Sequence, residues 1–258
     1  MLLELLWWAG WMWCAAWVAL PLLAMPLLGP VAGVVAWALL APWTALLGMA
    51  ALHRVLPRGE AGTFRLPGDR GSVRWALKGW APSVYLTLFQ PLLFTSRSFQ
   101  RIALRAFGAR LGPGAWLTSR TIAREPHHLR VGARTLVGEY AHLACSYQPR
   151  PGLLVVADIV IGDDSLVSAY CHLAPGVTVG SRCVLEHAVA ISARTVIGDD
   201  SRIGAGTTIY TAARIGRNVS IGKNCLIPSG AVVADGARIP DFTVLAAGGA
   251  RPRVQVAR

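Results

Sequence analysis

The sequence predicts a mainly-β protein, a parallel β-helix of triangular cross-section preceded by a transmembrane helical hairpin and interfacial helices. Three observations carry this expectation. Across the C-terminal half an aliphatic residue recurs at every sixth place, a period that neither a helix (about 3.6 residues) nor a strand (about 2) needs. Gly, Asp and Asn fall at fixed places between those aliphatics. The chain is 54% hydrophobic with a mean hydropathy of +0.48, high for a soluble protein, and the apolar excess sits mostly in the first 55 residues.

The N-terminal element, residues 1–56, reads as two membrane spans. Leu2 to Met25 is apolar except for Glu4, and Val31 to Leu52 is a second run of 22 residues. At 1.5 Å per residue that second run measures about 33 Å, enough for a bilayer core. The link MPLLGP is short and uncharged, as a tight hairpin requires. A cleaved signal peptide fits poorly, since a basic n-region and an A-x-A site are both missing and the run is too long. His53, Arg54, Arg58, Arg65, Arg70 and Arg74 follow the second run, so the positive-inside rule places the remaining body on the cytoplasmic side, at a bacterial inner membrane. Trp7, Trp8, Trp11, Trp13 and Trp17 read as bulky helix-packing or lipid-facing surface.

Residues 57–110 read as a linker with re-entrant or interfacial helices. Gly79 to Thr95 is uncharged and apolar but holds Pro82 and Pro91, which suits a re-entrant or interfacial segment better than a third span. The stretch SRSFQRIALRAFGARLG then places Phe99, Ile102, Ala103, Ala106 and Phe107 on one helical face and Arg97, Arg101 and Arg105 opposite. Formal net charge is +12, almost all of it arginine, and the arginines are scattered through repeat turns away from the tryptophans. That distribution argues against nucleic acid and for anionic headgroups or a phosphate-bearing donor. Five cysteines without CxxC spacing indicate neither a zinc site nor a disulfide framework.

The last element, residues 111–258, carries the period. Stepping by six from Ile161 meets Val167, Leu173, Val179, Leu185, Ile191, Ile197, Ile203, Ile209, Ile215, Ile221, Ile227, Val233 and Ile239. Four places after each stands a smaller residue, from Ser165, Cys171 and Val177 to Ala237 and Thr243. Each hexad is one short strand and one corner, and three hexads close an 18-residue coil. Corner runs such as Gly162-Asp163-Asp164 and Gly216-Arg217-Asn218 tolerate unusual backbone. The phase runs back through Val155, Leu143, Val137 and Val131 and fails at Pro149, which gives six coils or slightly more, about 30 Å tall. Cys171, Cys183 and Cys225 take the small inward position and are core residues.

With these hexads the chain resembles the left-handed β-helix, hexapeptide-repeat acyltransferases over roughly residues 111 to 251. The apolar leader and the stretch ending FGARLG also resemble the membrane-embedded terminal region of poly-lysine-type non-ribosomal peptide synthetases. The resemblance implies transfer of an acyl group from acyl-CoA or a carrier protein onto a hydroxyl or amine, with an outer-surface histidine as general base. It implies no permanently bound cofactor, and a homotrimer. The anchor implies a lipid-linked or amphipathic acceptor.

His187, third in the hexad LEHAVA, projects from a corner. It resembles the catalytic histidine of sugar-nucleotide amine acetyltransferases, with small Ala169 and Ala205 one coil below and above. His172 closes VSAYCH one coil lower. The run CHLAPGVTVGSRC around it resembles lipid A acyltransferases, but Pro175 stands where their histidine would be, which leaves His172 a supporting role. The disrupted hexad PRPGLL falls in His172's column, so Tyr147 and Arg150 are candidate substrate contacts. His142 projects beside a different corner. Glu186 points away from His187, and the Asp163-Asp164 and Asp199-Asp200 pairs are corner residues rather than a dyad. In the C-terminal run AGGAR, similar to the family's closing segment with its proline lost, Arg251 and Arg253 are candidate contacts for the donor's phosphates. No metal site is expected: His142, His172 and His187 are spaced 30 and then 15 residues apart, unlike the close pair of a γ-class carbonic anhydrase. The alternative to an enzyme is a non-catalytic β-helical scaffold or docking module of a membrane biosynthetic complex.

Overall fold

The computed structural model describes residues 2–24, 29–57, 59–89, 92–93, 96–118, 120–245 and 255–256. The chain divides into two compact units, residues 1–60 with 67–107, and residues 61–66 with 108–258.

The first unit is helical: α1 (Leu2–Ala19), running into a 3₁₀ turn at Leu20–Ala24, α2 (Pro30–Val55), α3 (Arg70–Leu88) and α4 (Arg97–Ala106). Its core joins Cys14, Ala45, Met49, Ala81, Val84, Tyr85, Ala103 and Phe107. Two glycines decide how closely the helices approach. A Cβ on Gly48 would lie 2.4 Å from the Trp17 ring, and one on Gly10 would overlap Trp80. Trp13 Nε1 donates to the Gly48 carbonyl at 3.3 Å and Trp37 Nε1 to that of Val18 at 2.9 Å, so several tryptophans pack between helices. At the C-terminus of α2, the buried Lys78 ammonium donates to the carbonyls of His53 and Leu56, groups the helix itself leaves without donors.

By length and composition one helical stretch, Val31–Val55, is long and apolar enough to cross a membrane, and Trp8–Leu23 is a shorter apolar stretch. Large apolar side chains of both face outward, Met12 at 72% and Val31 at 78% exposure among them. Residues 79–88 are the second half of α3 and begin no separate segment, since the helix starts at Arg70 and continues through Pro82. Helix α4 buries Phe99, Gln100, Ala103 and Leu104, while Ile102 is 46% exposed. The buried stripe therefore lies a little round the helix from the expected one, because Leu104 and Phe107 centre it on Ala103.

The second unit is a parallel β-solenoid. Two of its faces are sheets of seven parallel strands and the third has six, extended by an antiparallel strand at Gln255–Val256, so the coils number about seven, in line with the six or slightly more expected. Strands two residues long suffice because all but those at the two ends pair with the coil above and the coil below. The in-phase aliphatics from Ile161 to Ile239 are all buried, none more than 7% exposed. The third residue after each of them sits at the corner with positive φ, as at Asp164 (54°), Arg182 (56°), Asp200 (60°), Asn218 (53°) and Gly230 (70°). Gly162, one residue after an aliphatic, is required for a different reason, close approach. A Cβ on Gly162 would lie 2.6 Å from the Gly180 carbonyl carbon in the next coil.

The regular 18-residue step holds from the third coil upward: Val167 pairs with Leu185 and Leu173 with Ile191. Below it the step is 30 residues, with Val131 beside Ile161, Val137 beside Val167 and Leu143 beside Leu173. The extra twelve residues lift out of the second coil as a hairpin of β7 (Ser146–Arg150) and β8 (Leu153–Val156), which takes β1 (Gly62–Arg65) as a third, antiparallel strand. Val155 thus lies in this hairpin sheet and not in a solenoid face, although its spacing matches the period.

Candidate active site

The insertion decides which histidines meet. Because the second coil is twelve residues longer, His142 lies directly beneath His172 in the same ladder and not beside a different corner. Their ring centroids are 5.0 Å apart, edge to face. Burial, the charge of His172 and that of Arg124 hold His142 below the usual imidazole range, and burial does the same to His172.

The corner that leads into this ladder carries an aromatic column. Tyr140 and Tyr170, both at positive-φ corner positions, stack at 5.0 Å with an interplanar angle of 13°. The His187 ring lies 5.1 Å from Tyr170, and the Arg120 guanidinium lies 5.2 Å from the Tyr140 ring and donates to its hydroxyl. His187 is exposed. The Ala188 N–H donates to the carbonyl of Ala169 (3.0 Å) and the Gly206 N–H to that of His187 (2.9 Å), so Ala169 and Ala205 are its neighbours along the edge. One prism edge therefore gathers three imidazoles and two phenols, with small residues flanking His187.

The acidic groups of the repeats are occupied otherwise. Glu186 accepts from Arg202 and from the Ala205 N–H (3.1 Å) and so is turned away from His187. Asp163 and Asp199 accept from the backbone N–H groups of Ala133 (2.7 Å) and Ser181 (2.9 Å) in the coil below. Asp164 and Asp200 are gripped bidentately by Arg134 and Arg182, which holds both carboxyls below their ordinary range. These are corner residues that tie coils together. Cys171, Cys183 and Cys225 are buried, and their thiols donate to carbonyls of the coil above at 3.0–3.2 Å.

Tyr147 and Arg150 lie exposed on the outer strand of the hairpin, which leaves the solenoid at the end of the His142–Leu143 strand opposite to His142. Arg251 and Arg253 lie outside the described residues. Among the described residues no group of three His, Cys, Asp or Glu side chains is placed to hold a metal ion. His142 escaped the sequence reading because a 30-residue spacing is not a multiple of 18. Recognising the phase failure at Pro149 as a twelve-residue insertion is the signal that would have found it.

Two family models match the solenoid. "Bacterial transferase hexapeptide (six repeats)" covers residues 194–227, and "Hexapeptide repeat of succinyl-transferase" covers 158–193 and 212–248. Together the two models match residues 158–248. No curated protein matches the chain in sequence. Among solved structures, perosamine N-acetyltransferase from Caulobacter crescentus, in complex with CoA and GDP-perosamine, is 18% identical with a TM-score of 0.36, over 57% of this chain and 59% of its own. AntD, an N-acyltransferase from Bacillus cereus in complex with dTDP and 3-hydroxybutyryl-CoA, is 14% identical with a TM-score of 0.43, over 61% and 88%. LpxA from Acinetobacter baumannii is 17% identical with a TM-score of 0.37, over 52% and 58%.

Proposed function

We propose that the protein is a membrane-anchored acyltransferase that moves an acyl group from an acyl-CoA, or an acyl carrier thioester, to a hydroxyl or amine of a lipid-linked or amphipathic acceptor. The observation that carries this reading is the clustering of His187, His172 and His142 with Tyr140 and Tyr170 on one edge of a transferase-type hexapeptide solenoid. An exposed imidazole flanked by alanines is accessible to substrate and suits general base catalysis near neutral pH.

His187 takes the proton of the acceptor O–H or N–H as that atom attacks the thioester carbonyl carbon. The tetrahedral intermediate collapses with cleavage of the C–S bond, and the imidazolium returns the proton to the thiolate. Proton and electron pair balance, and an ester or amide and a free thiol leave. His172 supports the acceptor from the neighbouring face, Tyr147 and Arg150 contact it from the hairpin, and Arg251 and Arg253 meet the donor's phosphates. The donor is consumed as a substrate. The outward-facing apolar side chains of α1 and α2 support a transmembrane hairpin, with the solenoid on the cytoplasmic face of a bacterial inner membrane. A homotrimer completes this reading.

The test is thiol release by the detergent-purified protein supplied with acetyl- and longer acyl-CoA and a bacterial membrane lipid extract. Release above the lipid-free control should fall by about 10²- to 10⁴-fold in His187→Ala while the solenoid melts unchanged. Equal release by both proteins removes His187 from the mechanism. No release from any donor favours the non-catalytic scaffold.

A further inference from the structure

The hairpin that carries Tyr147 and Arg150 is fastened to the solenoid at both of its feet, by side chains that the acyl-transfer mechanism does not use. At the entry foot, Ser146 Oγ donates to Glu125 Oε1 at 2.5 Å, and Glu125 is only 8% exposed. At the exit foot, Asp158 accepts from two residues at the start of the second coil: His128 Nδ1 at 2.6 Å and Arg130 Nη2 at 2.7 Å. The His128 side chain is 5% exposed, and its buried Nε2 has no hydrogen-bond partner among the described residues. A histidine held in so dry a place by one carboxylate is an orientation device and not a solvated surface group.

Backbone and thiol contacts close the same junction. The Ala157 N–H donates to the Cys145 carbonyl at 2.9 Å, which joins the two feet, and Cys145 Sγ reaches the His128 carbonyl at 3.7 Å. Beyond the feet the hairpin is loosely built. Its two strands lose register between Tyr147 and Arg150, where Pro149 provides no backbone donor. Strand β1 pairs with β8 from Gly62 to Arg65, so β7, with Tyr147 and Arg150, is the free edge of a three-stranded sheet. The clamped feet and the pairing of β8 with β1 together set the direction in which that edge leaves the prism.

We propose that Glu125, His128 and Asp158 are positioning residues for the acceptor. From the start of the second coil and the corner before it, they fix how the inserted hairpin, with Tyr147 and Arg150 on its outer strand, leaves the solenoid. This rests on the acyltransferase reading for its consequence but not for its geometry. The two carboxylates act on opposite feet, so loss of either loosens the hairpin and loss of both loosens it further.

The test uses the full chain in detergent, with Ser146→Ala for the entry foot, Asp158→Asn for the exit foot, and the double variant. Both residues are partly exposed, which protects folding in a way that His128 substitutions do not. Hydrogen exchange of amides 146–156 should speed up by about threefold to tenfold per foot, additively in the double variant, while amides of the upper coils keep their protection. The lipid-extract concentration giving half-maximal thiol release from acyl-CoA should rise several-fold, more than the maximal rate falls. Unchanged exchange in both single variants overturns the clamp. Faster exchange with an unmoved half-saturating concentration overturns the positioning role and leaves acyl transfer standing. No thiol release from the wild type speaks against acyl transfer, and hydrogen exchange then decides the clamp by itself.

Discussion

The strand Val196–Ile197 offers two adjacent aliphatics that hydrophobicity and β propensity alone would treat alike, but the solenoid treats them oppositely. Ile197 is 1% exposed and Val196 is 43% exposed. Ile197→Ala removes three carbon groups from the prism interior, about 2.4 kcal/mol at ~0.8 kcal/mol per methylene. A cavity term adds to this, because Ile197 is pinned between Val179 and Ile215 by the ladders above and below and the wall has little room to collapse. The sum is about 3–4 kcal/mol, inside the usual range for such core truncations. Val196→Ala empties nothing, and its effect should stay within about 0.5 kcal/mol. Urea unfolding of the detergent-solubilised chain, followed by far-ultraviolet circular dichroism, reads both. With a slope of roughly 2 kcal/mol per molar, the Ile197 variant should lose 1.5–2 M of midpoint and the Val196 variant hardly any. Equal shifts in the two variants would mean that the six-residue phase does not define the inside of the prism.

Other perturbations follow the same logic. Gly162→Ala drives a Cβ to 2.6 Å from backbone of the next coil, so its melting midpoint should fall well below that of Ser168→Ala, the same hexad place where a side chain is already tolerated. His142 and His172 are both held below their ordinary pKa, so protonation favours the unfolded chain. Stability from these groups is intact above about pH 6.5 and declines as pH falls through and below that value. Melting at pH 7.5 and 5.5 should show the loss, and His172→Gln should reduce it. Removing residues 146–157 joins Cys145 to Asp158 and restores an 18-residue coil, with Asp158 at the corner place that Gly176 occupies one coil higher. The solenoid's circular dichroism should survive this deletion, while thiol release should no longer saturate with lipid extract at the wild-type concentration.

What was readable from the residues alone is the part of the fold with a single local rule. A prism face admits one buried side chain per strand, so Ile161 to Ile239 in steps of six could be placed inside before any coordinates, and Cys171, Cys183 and Cys225 beside them. The corner roles of Asp163, Asp164, Asp199 and Asp200 were legible for the same reason, since each corner repeats one backbone shape. The helical unit was legible only in outline. Apolar runs mark helices, but which face of α4 is buried depends on neighbours far away in sequence, and Leu104 took the place expected of Ile102.

The candidate site divides along the same line. The sequence by itself determined that His187 and His172 project outward, because their places in the hexad are local. Only the tertiary structure decided that His142 stands beneath His172 and that Tyr140 stacks on Tyr170. Both contacts span 30 residues, one coil plus a twelve-residue hairpin, and a period counted along the chain has no means of knowing that those twelve residues leave the coil and return. The physical reason is that ladder partners are chosen by which strands lie adjacent after the coil closes, and closure is a property of the whole turn.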